Sequence, residues 1–155
     1  MIKKINQGFN TPVGKACLDN LPIEGEHFQE WVDNLVDTLV SVKELAAGLA
    51  MNQIWDESEQ CEYRIFACFL PEMADPEVFI NPVGQGSGAT LSGWESCMSF
   101  EGKSPRKRKR SKNYTILYTR VDGEENNFKI ALSYGRVIQH EMDHLDGKSI
   151  YPRGG

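Results

Sequence analysis

The stretch Gln139-His140-Glu141-Met142-Asp143-His144-Leu145-Asp146-Gly147 sets two of the chain's three histidines four residues apart around a glutamate. On an α-helix, where each residue turns by about 100°, His140 and His144 stand about 40° apart and can reach one metal ion from the same face. Glu141 projects beside them, about 100° from His140 and about 60° from His144. It is near enough to handle the proton of a metal-bound water without being a ligand. Ser133 is suited to cap the start of such a helix and Gly147 to stop it, which predicts a helix from about Tyr134 to Asp146.

A catalytic tetrahedral site takes three ligands from protein and leaves a fourth corner to water. Downstream of His144 the chain offers little. The metzincin spacing asks for histidine where Ile150 stands, and Asp146 faces away around the helix. The third ligand is therefore expected upstream. His27, beside the acidic start of the first helix, reads as a surface residue. Cys61 and Cys68 fall in or beside an apolar strand, where a buried, inert thiol is ordinary, and Cys17 lies in a loop without acidic or histidine company. Cys97 follows Glu95 and a glycine-rich stretch, the kind of segment that can bring a thiolate against another element. Ligand type and spacing alone leave its role open.

Outward from the helix, Phe128–Leu132 reads as a strand, joined across the Asp122-Gly123 turn to Tyr114–Val121. Glu77–Ile80, ended by Asn81-Pro82, and Glu62–Leu70, closed by Pro71, are further strands. Phe28, Trp31, Val32, Leu35, Val36, Leu39 and Val40 draw one apolar stripe, which predicts a long first helix with Gly48 as its stop and Leu49–Trp55 extended beyond it. The layout is α+β: mostly antiparallel sheets around a central metal-binding helix, with one long N-terminal helix, in a single catalytic domain spanning residues 1–155.

Composition agrees with one folded domain: 155 residues, 40% hydrophobic and 25% charged. The longest stretch without polar side chains, Leu45–Met51, falls far short of the ~20 residues that span a bilayer, and residues 1–7 lack the apolar block of a secretory signal. A cytoplasmic setting with reduced cysteines is expected. The net charge of −5 conceals a reversal. Lys103 to Lys112 holds seven basic residues and no acidic one, leaving ten basic against 22 acidic elsewhere, a net of −12. The run is expected to be a solvated hairpin loop; the alternative is a nucleic-acid docking element.

These residues resemble peptide deformylase, a metallohydrolase family with three motifs in fixed order. The third matches Gln139–Gly147, the second Glu95-Ser96-Cys97-Met98-Ser99, and the first Ala46-Ala47-Gly48-Leu49-Ala50-Met51-Asn52-Gln53. Ser96 and Ala46 replace family glycines, and Met51 replaces an alanine. The resemblance implies removal of the formyl group from N-formylmethionyl nascent peptides, in bacterial or phage-infected host cytoplasm, by a minimal, phage-like monomer. It further implies that Cys97, His140 and His144 bind one divalent ion, Fe²⁺ first, with Zn²⁺, Ni²⁺ or Co²⁺ as alternatives. Glu141 would be general base, then acid. Gln53 and the backbone N–H of Met98 would stabilise the oxyanion, Gly48 would meet the substrate backbone as an added strand, and Glu95 would lie near the methionine pocket. Ribosome docking through Arg106–Lys112 is a further expectation. Competing readings are a small metallopeptidase and a catalytically inactive metal- or RNA-binding module.

Overall fold

The computed structural model describes residues 1–18 and 24–153. Helix α1 spans Glu26–Ser41 and buries Phe28, Trp31, Val32, Leu35 and Leu39. The end of its stripe differs from expectation: Val40 is exposed and Thr38 is buried in its place. The helix also stops well before Gly48. The Ser41 hydroxyl donates to the Thr38 carbonyl and the Val42 N–H reaches back to Leu39, which tightens and closes the last turn.

Strand β1 (Gly48–Ala50) follows, and the chain then enters a 3₁₀ turn over Met51–Gln53 instead of staying extended to Trp55. The Gln53 side chain causes the change of direction by accepting from the Ala50 N–H at 2.9 Å. Strand β2 is Ile65–Cys68, buried throughout. Strands β3 (Glu77–Glu95) and β4 (Arg106–Thr119) form a long ribbon, and β5 (Glu125–Ala131) returns after the turn at Gly123. The order is β1-β2-β3-β4-β5, every neighbouring pair antiparallel.

Two expectations change here. Asn81-Pro82 does not end β3. It makes a bulge, with Asn81 at φ 47° and a register shift between Ile80 and Val83, a place where proline's missing N–H costs no ladder bond. The basic run is also not a loop. Arg106 to Arg110 are paired with Glu95 to Leu91 in the ribbon.

Helix α2 covers Leu132–Leu145 and packs across β1, β2 and β4. It starts after Ala131, so Ser133 lies in its first turn and not before it. Its end is as expected: Gly147, at φ 74°, donates to His144 O, and Lys148 donates to Asp143 O. This pair of bonds makes a Schellman turn. A Cβ on Gly147 would also stand 2.8 Å from the backbone of Lys15 and Ala16, which run past the helix end.

The core lies between α1, α2 and the sheet. Trp31 packs on Trp55 at 4.5 Å between ring centroids, and Phe66 stacks on Phe79 at 4.5 Å. Leu35, Leu39 and Leu49 are wholly buried, each contributing ~1.5–3 kcal/mol of transfer free energy. No helix among the described residues is long and apolar enough to cross a membrane.

Candidate active site

Helix α2 is docked by both apolar and polar contacts. Ile138 and Leu145 enter the core, while the Gln139 amide accepts from the Ser111 N–H at 2.9 Å and donates to the Ser111 carbonyl at 3.0 Å. Asn52, just after β1, donates to the His144 carbonyl. The helix is thus held at both strand edges, with His140, Glu141 and His144 turned toward the turn that follows β3.

That turn carries Cys97. Cys97 Sγ lies 3.1 Å from His144 Nε2, which lies 3.2 Å from His140 Nε2. One ligand atom from each of the three residues falls within 4.8 Å of the others. The same turn brings Met98, whose N–H has no partner among the described residues, while its carbonyl accepts from Gln7 at 2.7 Å. Gln53 arrives from the 3₁₀ turn. With its oxygen engaged by Ala50, its amide N–H₂ donates to Ser99 Oγ at 3.0 Å and stands 3.9 Å from Cys97 Sγ.

Glu95, the last residue of β3, lines the same cavity, but its carboxylate is occupied by the protein. Arg110 donates to both of its oxygens at 2.9 Å, Arg136 at 3.0 Å, and His140 Nδ1 sits 3.0 Å away. Burial pushes the Glu95 carboxyl upward, but the bonds from His140, Arg110 and Arg136 outweigh it and hold the group well below the usual carboxylate range. Asp143 completes the cluster through a 2.6 Å bond from Arg110. A carboxylate on Nδ1 fixes the His140 ring and leaves Nε2 facing Cys97 and His144.

Glu141 is buried, and Gly48 makes room for it: a Cβ there would meet Glu141 Cγ at 3.1 Å and Val137 Cγ1 at 3.0 Å. Burial raises the Glu141 carboxyl to about 7, against the opposing pull of His140 and Arg110. Burial pulls His140 down, yet the nearby Cys97 sulfur and the bond to Glu95 prevail and raise it to about 10. His144 is driven well below its ordinary value by burial, with His140 and Arg110 adding to the effect.

The donor set fits a divalent ion. Two Nε2 atoms and a sulfur converge on one point, where at most one proton could bridge the two nitrogens. Beside them Glu141 Oε2 is buried without a partner among the described residues, and an orphaned carboxylate oxygen is costly unless a cation or water meets it. The cavity in front, about 460 Å³, is bounded by Gly48, Gln53, Trp94, Cys97, Val137 and Glu141.

The remaining thiols lie elsewhere. Cys61 and Cys68 are buried in the core, and burial raises both, Cys68 to about 12, so neither offers a ready thiolate. His27 is half exposed and bonded to Tyr63 and Glu57. Four participants escaped the sequence reading: Ser99, Arg110, Asp143 and Arg136. Arg110 was hidden inside the basic run, and pairs that close across the fold leave no local spacing to read.

An antiparallel sheet crossed by a His-x-x-x-His helix, joined to a cysteine and a buried glutamate, is the architecture of a metal-dependent hydrolase. The model of the polypeptide deformylase family matches residues 2–153, and the chain belongs to that family. The peptide deformylase of Stenotrophomonas maltophilia (strain R551-3) is 32% identical over 136 residues, covering 86% of this chain and 74% of its own. Among solved structures, peptide deformylase from Thermotoga maritima superposes with a TM-score of 0.81 at 24% identity, covering 97% of this chain and 95% of that one. A probable peptide deformylase from Synechococcus phage S-SSM7 gives 0.79 at 20% identity, covering 96% and 97%. The reaction is hydrolytic removal of a formyl group from peptides.

Proposed function

We propose that the chain, as one catalytic domain, deformylates N-formylmethionyl ends of nascent polypeptides, with Cys97, His140 and His144 holding a divalent cation. When bound, that ion would polarise the formyl carbonyl and lower the pKa of a water toward ~7. A sulfur beside two imidazoles suits softer ions such as Fe²⁺, Zn²⁺, Ni²⁺ or Co²⁺ over Mg²⁺ or Ca²⁺, and it is the family likeness that puts Fe²⁺ first. Every group comes from one chain, so a monomer suffices, and the substrate places it in the cytoplasm of a bacterium or an infected host.

Glu141 takes the proton of the attacking water and returns it to the departing amine. Its buried Oε2, without a partner among the described residues, and its raised pKa suit a base working near neutrality. The Gln53 amide and the Met98 N–H donate to the oxygen on which charge develops; one such donor is typically worth about 2.7–4 kcal/mol in the transition state. Strand β1 is an edge of the sheet. The peptide would add to it as a further strand, with Gly48 as a backbone partner. Glu95 acts by fixing His140 at the cavity wall.

The observation that carries this reading is the convergence of Cys97, His140 and His144 beside Glu141. Glu141→Ala is expected to keep the metal and lose formate release from formyl-Met peptides by ~10²–10⁴-fold. An unchanged rate would overturn the mechanism.

Ribosome docking has its own support. On the outer face of the ribbon, Lys107 and Lys109 are exposed and the Lys107 ammonium stands 5.9 Å from the ring of Trp94, itself 68% exposed. Cations beside an aromatic ring suit RNA. Co-sedimentation with ribosomes should fall as salt rises and as Lys107 and Lys109 are replaced by serine; indifference to both would end this reading.

A further inference from the structure

Arg136 stands on α2 one turn before His140, on the same face, and lines the same cavity as Cys97. Its Nη1 donates to Glu95 Oε2 at 3.0 Å and to the Arg108 carbonyl at 3.0 Å, and its Nη2 donates to the Leu91 carbonyl at 3.1 Å. A guanidinium has five N–H groups. The Nε–H and one Nη2–H therefore have no partner among the described residues. The side chain keeps 19% of its exposure, so it is reachable from the cavity.

Gly93 on β3 makes this placement feasible. A Cβ there would stand 2.7 Å from Arg136 Cζ, 2.8 Å from Nη2 and 2.9 Å from Nε. Gly93 lies in an ordinary strand, so it supplies space and not a turn. Without a side chain at Gly93, the Nε and Nη2 end of the guanidinium, which carries the spare donors, keeps its place against the strand. The cavity wall is thus apolar along Ala46, Ala47 and Val137 and cationic at Arg136.

We propose that Arg136 is a specificity-determining residue that donates to an acceptor on the first side chain of the substrate, so that the enzyme deformylates N-formylmethionine sulfoxide peptides as well as N-formylmethionyl ones. The proposal rests on the deformylase reading, which puts the formyl group at Cys97, His140 and His144 and leaves that side chain to the rest of the cavity. Oxidation turns the methionine side chain polar. In a wholly apolar pocket the sulfoxide oxygen would lose water and gain nothing, and a missing partner of this kind is how binding sites reject ligands. A guanidinium edge supplies that partner, and the thioether of unoxidised methionine still packs on the apolar wall.

The test compares formate release from formyl-Met-Ala, formyl-Met-sulfoxide-Ala and formyl-norleucyl-Ala by the metal-loaded wild type, Arg136→Met and Gly93→Ala. Arg136→Met removes the donors. Gly93→Ala pushes the guanidinium aside by displacing only its flexible end. The wild type is expected to process the sulfoxide within about tenfold of formyl-Met in kcat/KM, and both variants should lose sulfoxide activity at least about tenfold more than norleucine activity, chiefly through KM. The ratio is taken within each protein, so differences in folding or metal content cancel. Equal sulfoxide-to-norleucine ratios in all three proteins would overturn the proposal while leaving deformylation standing. No formate from any peptide with the wild type would overturn the parent reading and this one together.

Discussion

The two faces of the β3–β4 ribbon are drawn from the same basic run but do opposite things. Arg110 turns toward α2, where it is 6% exposed and bonded to Glu95 and Asp143. Lys109, one residue earlier, points to solvent beside Ser92. Strand alternation does the sorting: successive side chains fall on opposite faces, so an unbroken block of charge becomes a structural half and a surface half. The contrast shows that a charge run on a strand cannot be assigned one role.

The largest expected difference is between those neighbours. Arg110→Met leaves Glu95 and Asp143 without their shared cation, and losing one partner of a buried pair costs about 3–5 kcal/mol. Lys109→Met should stay within about 0.5 kcal/mol. Urea midpoints for the two variants measure this, and equal midpoints would erase the distinction between the faces.

A second comparison sets Glu95, buried with partners, against Glu141, buried with an oxygen left over. Burial raises Glu141 to about 7 from 4.5. In metal-free protein the folded state therefore holds its proton more tightly than the unfolded state, and stability falls as pH rises from 4.5 to about 7 and stays reduced above it. Glu141→Gln should escape that loss and, in chelator at pH 8, exceed the wild type by on the order of 3 kcal/mol, the advantage vanishing below pH 4.5. A flat difference across pH would contradict the assigned burial cost.

Glu95 should behave the other way. Its carboxyl is held down in the folded state, so its contribution is complete above the ordinary value of 4.5 and drains as pH falls below it. Acid titration of Glu95→Gln should show a shallower loss of stability over that range than the wild type. The smallest effect belongs to the outer face: Lys107→Ser with Lys109→Ser should leave the urea midpoint within about 0.5 kcal/mol of the wild type.

The helices were legible because each carries a strong period. The apolar stripe of α1 and the His140/His144 spacing need no partner to be read, and the Gly147 stop follows from backbone chemistry. The ribbon was legible only in part. Where Tyr114, Ile116 and Tyr118 alternate inward it read as a strand, but where Arg106–Arg110 pair with Leu91–Glu95 the inner face packs through Glu95 and Arg110, so no hydrophobic alternation marks that half. Asn81-Pro82 carries every local sign of a strand end, yet the bulge absorbs the proline. Cys97 was singled out by its neighbourhood, but spacing left it open, and Gln53 and Met98 entered only through family likeness. Ser99 and Arg136 act through contacts 46 and 41 residues away in the chain, which no local window can contain.

The strap formed by Lys15, Ala16 and Cys17 closes on the far end of α2, where the Cys17 N–H donates to the Leu145 carbonyl. A seam stitched between such remote segments favours slow folding, because long loops must close before it returns any stabilisation. During synthesis the early segment must wait for α2 to emerge from the exit tunnel before that seam can form. The reactive geometry would therefore be assembled among the last steps of maturation, and a half-made copy would have no hold on its ion.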